Sequence, residues 1–388
     1  MATLKQTSSP YYPGTRAVFT ALATTAMLAL FGGYAGAEHA GLSGTGPTVD
    51  PAIEPYTNHN GLHGKLSIAG SDTMRPLISK LSAQFLSLNP GAQIAVEGTG
   101  SSAAIREFLL GLSYQRRGDK VQSRGTAGSN TVELLASSRQ LTEEEQKGFE
   151  FNYGYRALEV PIAMDAVAIY VHKDNPVQYL TLAQVDAIFG KDHKRGQSAI
   201  SNWGQVELLE SSLTQQPIHL YGRDKRSGTR EFFKHVALKD GELRETVMEQ
   251  PGSASEIIAI AQDPLAIGYA GAGFSITEVR QVPIAAQPNQ SALLPSVDTV
   301  TSGTYPLGRS LYLYVKKDPK DKLDPFVAEF LSFVNSRQGQ ETVARASMYP
   351  LTRAQVAKNL QDLGLLKGAM VEMPAKSQDL QIAEHVGR

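Results

Sequence analysis

Two patterns of apolar residues alternate along the chain, short continuous runs and longer stretches with helical spacing. From Lys65, the run KLSIAG is followed by LISKLSAQFLSL, in which apolar residues recur every three or four positions. The same pair returns as AQIAVEG and AAIREFLLG, and again as VELLASS and LTEEEQKGF. This strand–helix alternation predicts an α/β fold with a mainly parallel sheet covered by helices on both faces.

A second series of elements begins at Val160. The segment VPIAMDAVAIYVHK predicts an apolar pair of strands, and TYPLGRSLYLYVKK predicts another strand nearer the C-terminus. Between them, helical and strand-like segments alternate: TLAQVDAIFG, PIHLYGR, REFFKHVAL, SEIIAIAQDP and AIGYAGAGF. A chain of 388 residues is longer than a single hydrophobic core usually supports, so the two series favour two α/β lobes.

The N-terminus has the pattern of a secretory signal peptide. Lys5 and Arg16 precede an apolar run of 15 residues, Ala17–Phe31, and the small residues Ala35-Gly36-Ala37 match an A-x-A cleavage site. A membrane anchor is the alternative, but a spanning helix needs roughly 20 apolar residues. We therefore predict a signal peptide over 1–37 that is removed after Ala37.

Three further segments lack hydrophobic periodicity. Residues 38–64 are rich in Gly, Pro, Thr and His and predict a flexible lead-in, and residues 367–388 predict a disordered tail. Residues 112–130 carry four basic residues, one acidic residue and three glycines. This basic segment is either a solvated surface loop or an electropositive rim near an anion site.

Composition narrows the possible functions. The chain has no cysteine, which excludes disulfides, thiolate metal sites, a cysteine nucleophile and a lipidated N-terminal cysteine. Its formal net charge is −1, so no overall field attracts nucleic acid or an anionic membrane. The pattern therefore predicts a free periplasmic protein, or a secreted one, in which any anion site is built locally.

Four segments place Gly, Ser or Thr where a predicted strand ends and a helix begins. They are Gly70-Ser71-Asp72-Thr73, Gly98-Thr99-Gly100-Ser101-Ser102, Ser137-Ser138-Arg139 and Arg226-Ser227-Gly228-Thr229. A helix start carries unpaired N–H groups and about half a positive charge, and hydroxyls add donors without net charge. Each segment alone fits an ordinary N-cap. Together with Arg223, which adds one strong counter-charge, they predict a site for a small tetrahedral anion.

The chain resembles the phosphate-binding receptors of Pst-type ABC importers, which are periplasmic binding proteins. The resemblance spans roughly residues 65–350 and rests on Arg223-x-x-x-Ser227-Gly228-Thr229, VEGTGSS, the loop after KLSIAGS, AIGYAGAGF and YPLGRSLYLYV. It implies a two-lobe, type II periplasmic-binding-protein fold in which each lobe is a mainly parallel sheet flanked by helices. Lobe 1 would comprise 65–158 and 306–366, and lobe 2 would comprise 159–305, joined by two crossover strands.

The resemblance also implies which residues hold phosphate between the lobes. They are Thr73, the Met74 backbone N–H, Ser101, Arg223, Ser227, Gly228 and Thr229. Ser138 and Arg139 complete the predicted site, but here the chain departs from the family, which often has an aspartate at the position of Ser138. That aspartate accepts the phosphate proton, so its absence puts the identity of the anion in doubt unless Asp72 or Glu97 compensates.

We therefore predict an exported solute-binding protein rather than an enzyme. It would capture inorganic phosphate or a related oxyanion as a monomer, without cofactor, metal or nucleic acid, and deliver it to an ABC permease in the inner membrane. An exported phosphatase and a secreted matrix or adhesion protein of the same fold are the alternatives. The chain lacks G-x-S-x-G and H-E-x-x-H motifs, and its eight histidines are scattered, which disfavours a hydrolase.

Overall fold

The computed structural model describes residues 47–57, 62–111, 113–117, 120–124, 132–206, 212–274 and 276–366. The predicted signal peptide (1–37) and tail (367–388) lie outside these residues. Within them, no helix has both the length and the apolar character that crossing a bilayer requires.

The predicted strands and helices occur in their predicted order, together with additional elements that the sequence analysis did not predict. The strands are β1 (Gly64–Gly70), β2 (Ala92–Gly98), β3 (Ser113–Arg117), β4 (Lys120–Arg124), β5 (Leu134–Ser137), β6 (Leu158–His172), β7 (Leu180–Thr181), β8 (His219–Arg223), β9 (Met248–Gln250), β10 (Ala266–Gly271), β11 (Val279–Val282), β12 (Ile284–Ala285) and β13 (Gly308–Val315). The helices are α1 (Arg75–Leu88), α2 (Ser101–Leu110), α3 (Glu143–Tyr153), α4 (Leu182–Phe189), α5 (Gly228–Ala237), α6 (Ser253–Ala261), α7 (Val297–Thr301), α8 (Pro325–Val334), α9 (Arg337–Arg345) and α10 (Arg353–Leu363).

Several helices begin at side chains that cap them. The Thr142 hydroxyl accepts from the Glu145 amide and the Glu145 carboxylate accepts from the Thr142 amide, a capping box that starts α3. Thr181 starts α4 in the same way. Asp324 caps α8, and Pro325 occupies its first position, where the missing N–H costs nothing.

Nine strands of the described chain form one sheet in the order β2-β1-β5-β13-β6-β10-β8-β9, with β11 added beside β6. We call β2, β1, β5 and β13 the first half of the sheet, and β10, β8 and β9 the second half. β1 runs parallel to β2 and β5, and β8 runs parallel to β9 and β10. The antiparallel pairs within this sheet all involve β13 or β6, the strands at its centre.

The central strand β6 connects the two halves. Its residues Leu158–Ala166 pair with β13, and Val167–Val171 pair with β10. The sequence predicted two strands here, but the chain forms one strand of 15 residues. Eleven of them are buried and four are half-buried, so the segment is an almost continuous apolar run that does not show where one partner strand ends and the next begins.

Apolar clusters cover both faces of each half. In the first half, Leu66 and Ile68 of β1 pack with α1 and α8, whereas Ala69 faces a second cluster formed with α2 and α3. In the second half, Ile267 and Tyr269 of β10 pack with α4 and α5, whereas the other face of β10 packs against α6. This placement confirms the prediction of a sheet with helices on both faces.

Part of the segment predicted as a flexible lead-in packs against the core. Ile53 is 1% exposed and belongs to the same cluster as β10. Arg337 at the start of α9 donates to the carbonyls of Pro51 and Ile53, and the Tyr56 hydroxyl donates to Glu329. Residues 47–57 therefore differ from the prediction, because contacts with α8 and α9 supply the partners that the local sequence lacks.

The basic segment 112–130 also differs from the predicted loop. Within it, β3 and β4 form an antiparallel hairpin with Ser113 opposite Arg124 and Arg117 opposite Lys120. The hairpin was not predicted because arginines and a lysine stand where a half-buried strand would alternate apolar and polar residues.

Candidate functional site

The carboxyl ends of the parallel strands meet near the centre of the sheet. The segment after β1 contains Thr73, α2 begins at Ser101, and Ser138 follows β5. In the second half of the sheet, Arg223 ends β8 and Thr229 lies in the first turn of α5. In open α/β sheets, ligands bind at such strand ends, where the helix N-termini also converge.

A chain of three hydroxyls joins the two halves of the sheet at this point. Thr73 Oγ1 lies 3.0 Å from Thr229 Oγ1 and 3.5 Å from Ser253 Oγ, and the latter distance is at the outer limit for a hydrogen bond. All three side chains are buried, being 0–2% exposed. Thr73 follows β1 of the first half, whereas Thr229 lies in the first turn of α5 and Ser253 begins α6, both in the second half.

An arginine lies at each end of this hydroxyl chain. Arg223 Nη1 donates to Ser253 Oγ at 2.9 Å, and Arg309 Nη1 donates to Thr229 Oγ1 at 3.1 Å. A guanidinium can only donate, so Thr229 and Ser253 accept these bonds and their own hydrogens point elsewhere. The hydrogens of Thr229 and Ser253 can each reach Thr73 Oγ1, and in both contacts either oxygen can act as the donor. The result is a cluster of convergent donors, which suits a ligand rich in acceptor oxygens.

A second contact between the halves is formed by Ser101, Ser138 and Gly228. The hydroxyls of Ser101 and Ser138 lie 3.3 Å apart, and the Ser138 amide donates to Ser101 Oγ at 3.3 Å. A Cβ at Gly228 would lie 2.5 Å from Ser101 Oγ and 2.9 Å from Ser138 Oγ, so only glycine allows this approach. Gly100 has φ +88°, and a Cβ there would meet the Arg226 carbonyl at 2.5 Å.

Two carboxylates contact the arginines of the site. Asp72 Oδ2 lies 3.4 Å from Arg223 Nη2, and burial raises the pKa of Asp72 while Arg223, Arg75 and Arg226 oppose the rise. Asp165 Oδ2 accepts from Arg309 Nε at 3.0 Å and from Arg309 Nη2 at 2.7 Å. Both side chains of the second pair are 2% exposed.

A third acid, Glu256, lies on the same helix as Ser253, about one turn further along. Glu256 is fully buried, and its Oε1 accepts from the Tyr269 amide at 2.9 Å. Burial raises the pKa of Glu256 to about 8, while the Tyr269 hydrogen bond and the charge of Arg223 oppose this rise. At neutral pH the carboxyl is therefore largely protonated and adds little negative charge near Arg223.

The structure places most of the predicted site residues together. Thr73, Ser101, Ser138, Arg223, Gly228 and Thr229 share the contacts described above. Ser227 caps α5 by accepting from the Arg230 amide, and the Met74 amide donates to the Ser71 carbonyl in the turn before α1.

Arg139 makes contacts outside the hydroxyl chain. Its guanidinium forms a bidentate pair with Glu145 at 2.7 and 2.8 Å and also donates to the Gln140 carbonyl. The third sequence motif also differs from the expected design, because α3 begins only at Glu143, with Thr142 as its cap. This loop nevertheless brings Ser138 to the site.

Sequence reasoning missed Ser253, Asp165 and Arg309. Ser253 follows Pro251-Gly252 at a helix start, so it repeats the motif type that identified the others. Asp165 and Arg309 are lone charges in apolar strand segments, which is a costly placement that pairing offsets. Metal binding has no equivalent support, since the described residues contain no group of three or more His, Asp or Glu placed to hold an ion.

Comparison with known proteins relates the chain to a family of binding proteins. Residues 43–338 match the model of the PBP superfamily domain. The phosphate-binding protein PstS of Pseudomonas aeruginosa is 36% identical over 318 residues, covering 82% of this chain and 92% of the relative. Protein SphX of Synechococcus elongatus is 26% identical, covering 75% of this chain and 79% of the relative.

Solved structures with the same fold confirm the predicted two-lobe architecture. A putative phosphate ABC transporter substrate-binding protein from Clostridium perfringens, with bound phosphate, superposes with a TM-score of 0.58 at 24% identity, covering 74% of this chain and 100% of that chain. An ABC-type phosphate transport receptor from Vibrio cholerae gives a TM-score of 0.55 at 22% identity, with the same coverage of both chains.

The buried carboxyl of Glu256 predicts a pH-dependent stability. Because its pKa rises from 4.5 to about 8 on folding, the folded protein holds the proton more tightly, and stability is lost as the pH rises between these values. Relative to Glu256→Gln, the wild-type free energy of unfolding should fall by up to about 1.4 kcal/mol per pH unit over this range. Urea denaturation of both proteins across the range measures it, and a constant difference would contradict the assignment.

Proposed function

The chain belongs to the PBP superfamily and, within it, to the family of PstS phosphate-binding proteins, and we propose that it binds inorganic phosphate between its two lobes for delivery to an ABC-type importer. The observation that carries this proposal is the hydroxyl chain of Thr73, Thr229 and Ser253 with an arginine at each end. Phosphate offers several acceptor oxygens, and this cluster offers several donors from both lobes.

The donor cluster also explains how the site can hold an anion in a nearly neutral protein. Hydroxyls and helix N-termini supply donors without net charge, and a single arginine, Arg223, supplies a charge-assisted fork. Arg309 adds no net charge because Asp165 pairs with it. Since the ligand would contact both lobes, its binding should favour the closed arrangement.

The proposed phosphate contacts follow from the residues at the strand ends. They are the side chains of Thr73, Ser101, Ser138, Arg223, Ser227, Thr229 and Ser253, and the backbone N–H groups of Gly228 and Thr229. The Met74 N–H joins them if it exchanges the Ser71 carbonyl for a phosphate oxygen. We leave Arg139 out of this set because its guanidinium is committed to Glu145. The lobe boundaries proposed from the sequence, 65–158 with 306–366 and 159–305, divide these contacts between the two lobes.

We propose no catalytic step. The relatives described above are named as binding proteins and transport receptors, which is consistent with a protein that leaves its ligand unchanged. They give no support to the alternatives of an exported phosphatase or a matrix protein. A monomer that closes on phosphate and docks to a membrane permease is the simplest form of this function.

We also propose that export removes residues 1–37, as expected for a receptor that works outside the cytoplasm. The apolar segment Ala17–Phe31 and the A-x-A pattern that ends at Ala37 motivate this proposal. N-terminal sequencing of the protein from a periplasmic fraction should begin at Glu38. Recovery of the uncleaved chain in membranes would contradict it.

Arg223 is expected to supply most of the charge attraction for phosphate. In calorimetric titration of the phosphate-free protein, Arg223→Ala should weaken binding by about 2–5 kcal/mol, the usual cost of removing one partner of a desolvated charge pair. Arg223→Lys should also be impaired, since a point charge cannot reproduce the bidentate fork.

Arg280 provides a matched control for this experiment. It is a partly buried arginine that donates to the carbonyls of Asn175 and Val177, away from the hydroxyl chain. Arg280→Ala should leave phosphate affinity nearly unchanged even if it lowers stability. Wild-type affinity in a folded Arg223→Ala variant would remove Arg223 from the site, and a wild-type protein that binds no phosphate would overturn the proposed function.

Asp72 is expected to take the role of the aspartate that Ser138 replaces. Phosphate keeps at least one proton near neutral pH and sulfate keeps none, so a carboxylate in the site can accept a hydrogen bond only from phosphate. Asp72 contacts Arg223, whereas the charge of Glu97 acts on Glu107, whose pKa is raised to about 7 mainly by burial and further by Glu97. Asp72→Asn should therefore relax discrimination against sulfate by about 1–3 kcal/mol.

Glu97→Gln is the matched control, because it removes a carboxylate from the neighbouring strand end. Competition titrations with phosphate and sulfate on both variants measure the effect. Equal selectivity in wild type and Asp72→Asn, with phosphate binding retained, would show that Asp72 does not discriminate between the anions.

A further inference from the structure

The ion pair of Asp165 and Arg309 lies where the chain passes between the two halves of the sheet. Asp165 on β6 and Arg309 on β13 are register partners in the antiparallel pair of strands. β6 changes its partner from β13 to β10 between Ala166 and Val167, directly after Asp165. The pair therefore sits at the point about which the halves would move relative to each other.

The pair leaves one side of the guanidinium free to face the candidate site. Asp165 Oδ2 takes two N–H groups, from Nε and Nη2. The remaining terminal nitrogen, Nη1, donates to Thr229 Oγ1 at 3.1 Å. The same guanidinium lies 5.3 Å from the ring centroid of Phe232, one turn further along α5, so it contacts this helix twice.

We propose that Asp165 and Arg309 form a positioning pair that fixes the Thr229 hydroxyl as a donor toward the bound phosphate. This inference rests on the proposed phosphate site. Because Arg309 only donates, Thr229 Oγ1 must accept from it and direct its own hydrogen to another acceptor. Thr73 Oγ1 lies 3.0 Å away and can accept this hydrogen in the absence of ligand. In the proposed complex a phosphate oxygen takes its place as the acceptor.

Each member of the pair has a distinct part in this arrangement. Asp165 holds the orientation of the guanidinium through two hydrogen bonds and neutralises its charge, so that Arg309 acts on ligand through Thr229 rather than as a second counter-charge. Since both residues lie on the central strands β6 and β13, the sheet holds the pair in place without any contact from the ligand. Such preorganisation removes part of the cost of ordering the site on binding.

A double-mutant cycle with Thr229 tests this role. Removing one member alone would leave a buried unpaired charge and could unfold the protein, so the pair is replaced together as Asp165→Asn with Arg309→Gln. In the Thr229 background this neutral pair should weaken phosphate affinity at least about tenfold, measured calorimetrically. In the Thr229→Val background, which lacks the hydroxyl, the same replacement should change affinity less than about threefold.

A Thr229→Ser background is the matched control, because it keeps a hydroxyl and should keep the tenfold sensitivity to the pair. Arg309→Lys is the second variant if the neutral pair does not fold, since lysine keeps the charge opposite Asp165 but lacks the planar fork that also reaches Thr229. Arg244→Lys replaces another arginine whose partners are mainly backbone carbonyls and should leave affinity unchanged.

The outcomes separate this inference from the proposed function. Equal losses in the Thr229 and Thr229→Val backgrounds would mean that the pair supports the fold generally, and no loss in either would mean that it does not act on the site. Either result overturns the positioning role while wild-type phosphate binding persists. A wild-type protein that binds no phosphate would overturn both proposals.

Discussion

The contact between Thr73 on one side and Thr229 and Ser253 on the other is the interaction on which the candidate site depends. It joins the first half of the sheet to the second through hydroxyls alone. Hydroxyls can either donate or accept, so their direction must be imposed from outside. Arg223 and Arg309 donate to Ser253 and Thr229 at the two ends, so the hydrogens of these two hydroxyls remain available for another acceptor.

The charged residues around this contact are arranged so that few charges are buried without a partner. Asp165 compensates Arg309, and the raised pKa of Glu256 keeps a third acid largely neutral beside Arg223. Asp72 Oδ2 lies 3.4 Å from Arg223 Nη2, a distance longer than that of a good charge-assisted hydrogen bond. The arrangement leaves Arg223 as the cation best able to serve an anionic ligand, which suits the PstS family to which the chain belongs.

Close approach of backbone from both halves completes the site. Gly228 lies against Ser101 and Ser138, and Gly100 lies against the Arg226 carbonyl. The Ser102 amide also donates to that carbonyl at 3.0 Å, so the two sides share a main-chain hydrogen bond. These contacts explain why the motifs contain glycine beside the hydroxyl residues: a side chain at Gly100 or Gly228 would hold the halves apart.

The sequence by itself determined the order of the predicted strands and helices, the motifs that contain Thr73, Ser101 and Thr229, and the position of Arg223 four residues before Ser227. These features are local, because apolar periodicity, glycines and capping residues act within a few positions of each other. The hairpin in 112–130 and the packing of Ile53 escaped prediction because their partners are not encoded by such periodicity. Only the tertiary structure decided that Asp165 pairs with Arg309, that Ser253 joins the hydroxyl chain and that Arg139 turns to Glu145. The first two contacts join segments that are distant in sequence, so they depend on strand register and helix placement. The third depends on which of several nearby partners Arg139 contacts. A linear pattern of residues shows none of this.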